Sequence, residues 1–584
     1  MSSKGIITGV SGPVIQACVY GKVRMYEVPL VGNSRLLGEV IRIQGDVVDI
    51  QVYENTDGLR AGEPVVFTGE LLSVKLGPGL LGTVLDGIGR PLEEIAGQNI
   101  YIPRGFQSES IPNDREWDFV PLVKPGENVH GGTVIGEVME GSYLKHMVMI
   151  PPEKGSLVVD HVSGEGAYRA EDIVAILSDG TEIRLSQKWE VRKSRPYYKR
   201  LHFDTPLMTG QRILDTLFPL ALGGAAVLPG GFGTGKTVTQ QSLAKYCNAD
   251  IIVYIGCGER GNEMTEVLEE FSQLMDPSHD APLLERMVLI ANTSNMPVAA
   301  REASIYLGMT IAEYYRDMGY DVAMMADSTS RWAEALREIA GRLEEMPGEE
   351  GYPAYLGSRL AQYYERAGRV VPLCGENKEG SVTIINAVSP PGGDFSEPVT
   401  QSSLRLAGAF WGLDKQLAQQ RHFPAINWNS SYTLYSFQLQ EYFVKQLGEE
   451  WESLKRFLTV TLDKEKRLKD LVQIVGRDGL SESDKWVLEF ADLAKIFFLQ
   501  QNAFSEEDAW CDLEKQKYMI TVLKELNKMI LEKIEKGVLF EQIHNFPFRK
   551  KLLELRKYSA EEMVVHAEKM YEEIERTVVG QVVE

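Results

Sequence analysis

Apolar and polar residues alternate along the first 70 positions, in short runs broken by Gly and Pro. Gly5-Ile6-Ile7-Thr8-Gly9-Val10 and Val47-Val48-Asp49-Ile50-Gln51-Val52 are typical. A period of two in such runs predicts short strands closing a small barrel or sandwich over residues 1–70. A connecting segment, 71–110, holds the glycine-rich stretch Gly77 to Pro91. From about 200 the pattern changes. Apolar runs of strand length, Ala225–Leu228, Ile251–Ile255, Met287–Ala291 and Val322–Ala326, are separated by helical spacing. In Ser330 to Leu343, Trp332, Ala335, Leu336, Ile339, Ala340 and Leu343 share one face, opposite Arg331, Glu334, Arg337, Glu338 and Arg342. Strand–helix alternation predicts a parallel sheet with crossover helices over 191–435. Beyond that the pattern is helical. The stripe Leu523, Leu526, Ile530 and Ile534 predicts a C-terminal bundle over 436–584. It does not persist over the heptads a coiled coil needs.

Residues 111–190 form a second β-rich block, as in Lys124-Pro125-Gly126-Glu127-Asn128 and Ser178-Asp179-Gly180-Thr181. Its string Gly126 to Val138 resembles the folded-over sheet of biotinyl and lipoyl carrier domains. No Met-Lys-Met equivalent accompanies it, so an inserted β domain is expected and not a carrier. The fold class expected is therefore multidomain α/β: barrel, β-rich insert, parallel-sheet core and helical bundle.

Length agrees, since 584 residues at ~150 per domain give about four domains. Lys and Arg number 61 against 83 Asp and Glu, a net charge of −22. That balance disfavours wrapping nucleic acid or lying on an anionic membrane. Five cysteines with no two-residue spacing suggest a reducing compartment. The longest apolar stretch, Leu217–Leu228, falls short of the ~20 residues a bilayer span needs. A soluble, cytoplasmic protein is expected.

The most informative string is Gly230-Gly231-Phe232-Gly233-Thr234-Gly235-Lys236-Thr237, which fits G-x-x-x-x-G-K-[ST]. An apolar strand precedes it and a helical segment, Val238–Tyr246, follows. Glycines let successive N–H groups face phosphate, and the helix N-terminus adds partial positive charge. Lys236 is expected to reach the β- and γ-phosphates, and the Thr237 hydroxyl to bind Mg²⁺. A rival, Gly77-Pro78-Gly79-Leu80-Leu81-Gly82, fits the dinucleotide pattern G-x-G-x-x-G. Strand and turn follow it, so structural glycines are expected there.

Val322 to Ala326 ends in Asp327, where a P-loop enzyme keeps its Mg²⁺-binding acid. Asp280 and Asp321 precede their strands and would stand at the wrong sheet edge. Glu259 and Arg260 follow Ile251–Ile255, at a carboxyl end. A carboxylate there can activate the attacking water, and an Arg can stabilise phosphoryl charge.

Together, Gly230–Thr237, Gly258–Glu263 and Asp327-Ser328-Thr329-Ser330-Arg331-Trp332 resemble the rotary ATPases. The strings Arg342–Pro353, Ser389–Pro398 and Arg421–Trp428 narrow the resemblance to the catalytic A subunits of the V-type and archaeal-type enzymes. It implies three such subunits alternating with three B subunits around central and peripheral stalks, and a trans arginine finger. It also implies ATP hydrolysis or synthesis linked to H⁺ or Na⁺ movement in a membrane sector, with the chain peripheral to the membrane. Phe423 and Phe504 would flank adenine. Vacuolar members usually carry Cys where Thr234 stands, which points to the bacterial and archaeal branch. The alternatives are a Rho-like helicase, a secretion-system ATPase and a non-catalytic ring subunit. The charge disfavours the first, the insert the first two, and the pairing of Lys236 with Glu259 the third.

Overall fold

The structure, a computed structural model, describes residues 3–96, 102–277, 279–375 and 378–579. Residues 97–101 of the connecting segment and 580–584 of the helical end lie outside the described residues. The chain divides into two compact units. The first is Met1–His202, Leu222–Pro229 and Ala249–Ala407; the second is Phe203–Ala221, Gly230–Asn248 and Gly408–Glu584.

The first unit opens with the expected closed barrel. Its strands are β1 (Lys4–Ser11), β2 (Val14–Tyr20), β3 (Glu27–Val31), β4 (Leu36–Gln44), β5 (Val47–Val52) and β6 (Pro64–Leu71). They close in the order β1-β2-β5-β4-β3-β6. Alternation sends Ile7, Ile15, Val40, Ile50 and Phe67 inward, all fully buried. The insert is built of two four-stranded antiparallel sheets. Trp117, Phe119, Ile135, Val148, Val174 and Leu177 fill its core.

The glycine run 77–82 has no helix behind it. It turns into a short strand, β7 (Val84–Leu85). Its amides do meet an anion, but an internal one: Glu140 of the insert accepts from Gly79 N at 2.6 Å and Leu81 N at 3.0 Å. His146 and Tyr315 bind the same buried carboxylate. The glycines thus seat the insert on the core.

The central sheet continues with β8 (Ala225–Pro229), β9 (Ile251–Glu259), β10 (Met287–Thr293), β11 (Asp321–Asp327), β12 (Gly368–Val371) and β13 (Gly380–Val388). Six strands pair parallel in the order β8-β13-β11-β9-β10-β7, and β12 adds antiparallel to β13. The continuous Val, Ile and Met runs of β9, β10 and β11 are buried, as strands covered on both faces must be. Its helices are α1 (Gly261–Gln273), α2 (Val298–Asp317), α3 (Thr329–Arg342) and α4 (Leu356–Tyr364). In α3 the apolar face expected from spacing is the buried one, with Trp332 fully enclosed. α2 is buried from Ala299 to Asp317. β9 runs four residues beyond the apolar segment that predicts it, because its pairing with β10 continues across a register shift to Glu259.

The second unit carries the helix Lys236–Tyr246, a hairpin of Ala409–Phe410 with Tyr432–Thr433, and the C-terminal helices. The longest are Trp451–Val475 and Leu513–Glu535. Trp451, Trp486, Phe490, Leu523, Leu526 and Ile530 are buried within it. Helix Glu482–Ala494 ends in a π-helical turn, Lys495–Leu499.

Where the chain leaves β7, a Cβ on Gly87 would lie 2.4 Å from the Ala300 carbonyl oxygen of α2. A backbone atom in a buried helix cannot yield as a side chain end can. Gly87→Ala is therefore expected to lower stability by about 2 kcal/mol, read as a shift in the urea unfolding midpoint. An unchanged midpoint would refute that close approach.

Candidate functional site

In the first unit the candidate groups gather where the parallel strands end. Gly256 of β9 lies opposite Asp327 of β11, so Asp327 stands at the carboxyl edge, 2% exposed. Glu259 ends β9 and is half-buried. The field of these two acids registers on their neighbours. Burial holds the Tyr254 proton well above the usual phenol range, and Asp327 and Glu259 add to the shift. Burial likewise pushes the Cys257 thiol up to about 12, with Glu259 and Asp327 adding and Ser304 and Arg301 opposing. Cys257 is a packing residue, not a nucleophile.

Arg260 is exposed, immediately precedes α1, and lies 3.5 Å from Glu263. A second cation, Arg331, comes from the first turn of α3. Its guanidinium is held charged chiefly by the hydrogen bond to Glu334 at 2.8 Å, with Glu259 and Glu263 contributing. Gly258 makes this crowding possible. Its φ is +72°, and a Cβ there would meet Arg331 Cβ at 2.7 Å and Arg301 Nε at 2.9 Å. Asp321 opens β11 at the amino edge and accepts from Ser381 Oγ at 2.7 Å. Asp280 sits in an exposed turn. Neither reaches the carboxyl edge.

In the second unit the loop Gly230–Gly235 leads into the helix Lys236–Tyr246. Gly233 and Gly235 take positive φ, 77° and 86°. A Cβ on Gly230 would press on Thr234 Oγ1 at 2.6 Å and Leu413 Cβ at 2.8 Å. Thr234 is buried, and its hydroxyl donates to the Gly231 carbonyl at 2.8 Å. A methyl-bearing hydroxyl here locks the turn from inside. Phe232 is exposed at the loop's tip, and Lys236 and Thr237 open the helix that follows.

A cavity of about 730 Å³ opens beside this loop, within the size range of small-molecule sites. Gly233, Gly235, Phe423, Phe504, Gln500 and Arg549 are among its walls. Phe423 is 40% exposed and Phe504 82%, so neither ring serves as core packing. Gly235 lies against the Phe423 ring, whose Cε1 is 3.4 Å from where its Cβ would be.

Backbone and side-chain bonds hold the two aromatic loops together. Gln501 N donates to the Phe423 carbonyl at 2.7 Å, and Gln500 Nε2 to that of Arg421 at 3.1 Å. Arg212 is fully buried and ties down the 498–508 loop through Phe498 O, Gln500 O and Asp508. Gln211 Nε2 reaches Ser242 of the loop helix at 3.0 Å.

The family resemblance leads to Phe423 and Phe504 but assigns no role to Arg331, Arg421, Gln500, Arg549 and Arg556. The last four line the cavity. Local spacing gives them no role, because the fold brings together segments far apart in the chain.

The sequence matches the ATP synthase alpha/beta family, nucleotide-binding domain, over residues 210–433. It matches that family's beta-barrel domain over 7–69 and its barrel-sandwich domain over 108–192. Residues 440–544 match the C-terminal domain of V and A type ATP synthase. The chain is 54% identical to the A subunit of the A-type ATP synthase of Methanopyrus kandleri, covering 93% of this chain and 92% of that one. It is 52% identical to the V-type ATP synthase alpha chain of Thermoanaerobacter pseudethanolicus, over 99% and 98%. Among solved structures, the assembled ATPase EscN of the enteropathogenic E. coli type III secretion system superposes with a TM-score of 0.64. That match covers 89% of this chain and 99% of EscN at 23% identity, a likeness of fold alone.

One titration follows from the aromatic loop. His422 is 8% exposed and its Nε2 has no partner among the described residues; burial, with Lys495 adding, lowers its pKa to about 4. The unfolded chain takes up this proton below about 6.5 and the folded chain only near 4. Stability is therefore full above pH 6.5 and lost as pH falls towards 4, at up to about 1.4 kcal/mol per unit. His422→Gln is expected to remove that component from the pH dependence of the unfolding midpoint. Identical profiles for the two proteins would exclude it.

Proposed function

This chain belongs to the ATP synthase alpha/beta family, and from that premise we infer that it is a catalytic A subunit of a V/A-type rotary ATPase. It hydrolyses or makes ATP, and other subunits link that turnover to H⁺ or Na⁺ movement. The observation that carries the reading is the 730 Å³ cavity where phosphate-loop glycines and two exposed aromatic rings share the walls. Glycine N–H groups suit phosphate, and aromatic faces suit a base.

The roles follow from the chemistry of each group. Loop amides and Lys236 hold the β- and γ-phosphates. Glu259 orients the attacking water and takes its proton as the water oxygen bonds to the γ-phosphorus. The bond to the β–γ bridging oxygen breaks, and ADP leaves with that electron pair. Arg260 stabilises charge on the transferred group. Thr237 and buried Asp327 offer only oxygen, the donor type Mg²⁺ prefers, and would hold it. When bound, Mg²⁺ neutralises phosphate charge. Phe423 and Phe504 stack on adenine.

Family membership also supports B-subunit partners in an alternating A3B3 ring with a trans arginine, stalk subunits, and peripheral attachment to a membrane sector. Among the described residues no helix is long and apolar enough to cross a membrane. The ion path is therefore assigned to partners. A non-catalytic ring role is disfavoured by the presence of both Lys236 and Glu259.

Lys236→Ala is expected to abolish ATP hydrolysis in the reconstituted complex; unchanged turnover would overturn the phosphate-loop assignment. Glu259→Gln should still bind ATP but turn over about 10² to 10⁴ times more slowly, the usual contribution of a base. Normal turnover would remove that role. Phe423→Ala should weaken binding of a fluorescent ATP analogue by about 1–3 kcal/mol, and equal affinity would sink the stacking assignment.

A further inference from the structure

Away from the carboxyl edge, the first unit encloses a cavity of about 310 Å³ between the second half of α2, α4 and the segment 192–200. Six guanidiniums line it, those of Arg192, Arg195, Arg200, Arg316, Arg359 and Arg366. The carboxylates there are Glu313 and Glu365, with Glu39, Glu302 and Asp317 behind them as ion-pair partners. Six cations thus meet five carboxylates in a partly enclosed space.

Most of these donors are engaged. Arg192 bonds Glu39 and Glu302 through Nε, Nη1 and Nη2. Arg366 uses its three nitrogens on Glu313, Thr310 Oγ1 and the Val191 carbonyl. Arg316 donates to Asp317 and to the Arg195 carbonyl.

Arg200 and Arg359 each spend one nitrogen, on the Ala367 carbonyl and the Tyr26 hydroxyl, and two further donors, both buried, have no hydrogen-bond partner among the described residues. Arg195 is 2% exposed; its Nε pairs with Asp317 at 2.6 Å, but its Nη1 has no partner. Tyr306 is 4% exposed and its hydroxyl also has no partner. Burial raises the Tyr306 pKa, with Glu302 adding and Arg192, Arg359 and Arg366 opposing, so the hydroxyl keeps its proton to donate. Buried donors rarely stay unmade in a folded protein. Both of these residues line this arginine-rich cavity.

We propose that this cavity is a binding site for a phosphate-bearing anion of pyrophosphate size, held by Arg195, Tyr306, Arg359 and Arg200. The forked donors of guanidinium match the oxygens of phosphate, and the space is that of about ten waters. The site is separate from the catalytic candidates. Arg316 precedes the start of β11 by five residues, and its carbonyl packs on Gly380, the first residue of β13. The cavity therefore borders the amino edge of the sheet, whereas Glu259 and Asp327 end their strands at the carboxyl edge.

The test uses the full chain carrying Lys236→Ala, which disables the phosphate loop. Sodium pyrophosphate and ATP are titrated separately by calorimetry, against NaCl at matched ionic strength. One saturable pyrophosphate per chain is expected. Tyr306→Phe, which removes only the hydroxyl, and the double variant Arg200→Gln/Arg359→Gln should each weaken it at least tenfold with an unchanged unfolding midpoint. ATP binding lost in the same variants would assign the site to the phosphates of a nucleotide, and pyrophosphate binding alone would assign it to the inorganic anion. Absence of saturable binding to either probe, or equal affinity in both variants, would overturn the proposal.

Discussion

A parallel sheet covered on both faces leaves reactive side chains only the places where its strands stop. In this molecule β9, β10 and β11 are apolar and buried throughout their middles. α2 lies behind them, enclosed from Ala299 to Asp317. Any acid that must meet substrate is displaced to a strand end, and Glu259 and Asp327 stand at such ends. The same constraint makes backbone economy necessary there. Gly258 has no side chain because Arg301 and Arg331 occupy the space one would fill, and that approach gives Glu259 a cationic neighbour.

The second unit solves a different problem, that of holding two exposed aromatic rings in place without burying them. Phe423 and Phe504 lie on loops, which alone are poor positioning devices. Arg212 provides the rigidity: it is fully buried and donates to three groups of the 498–508 loop. The Gln501 amide then joins that loop to Phe423. A π-helical turn ending at Leu499 directs the chain into Gln500 and so into the cavity.

Much of this is legible in the sequence. The period-two barrel, the parallel core and the amphipathic α3 follow from spacing, and the glycine loop that runs into the helix at Lys236 from its glycines and flanking elements. The family resemblance supplies Phe423 and Phe504. The missing parts have no local signature. Arg331 reads as one more charge on a polar helix face until the turn at Gly258 brings it beside Glu259. The run Gly77–Gly82 looks like an anion loop and does bind an anion, but the carboxylate comes from Glu140, some sixty positions on. Spacing reports period and punctuation, while these contacts depend on which distant segment the fold delivers.

The walls of the 730 Å³ cavity come from Gln211, the loop helix, Phe423, Gln500 to Phe504, and Arg549 to Arg556. During biosynthesis that enclosure does not exist until residues 549–556 have left the ribosome. A nascent chain that already displays Gly230–Thr237 has the loop glycines but no closed pocket beside them. The walls are complete only in a chain that has reached residue 556.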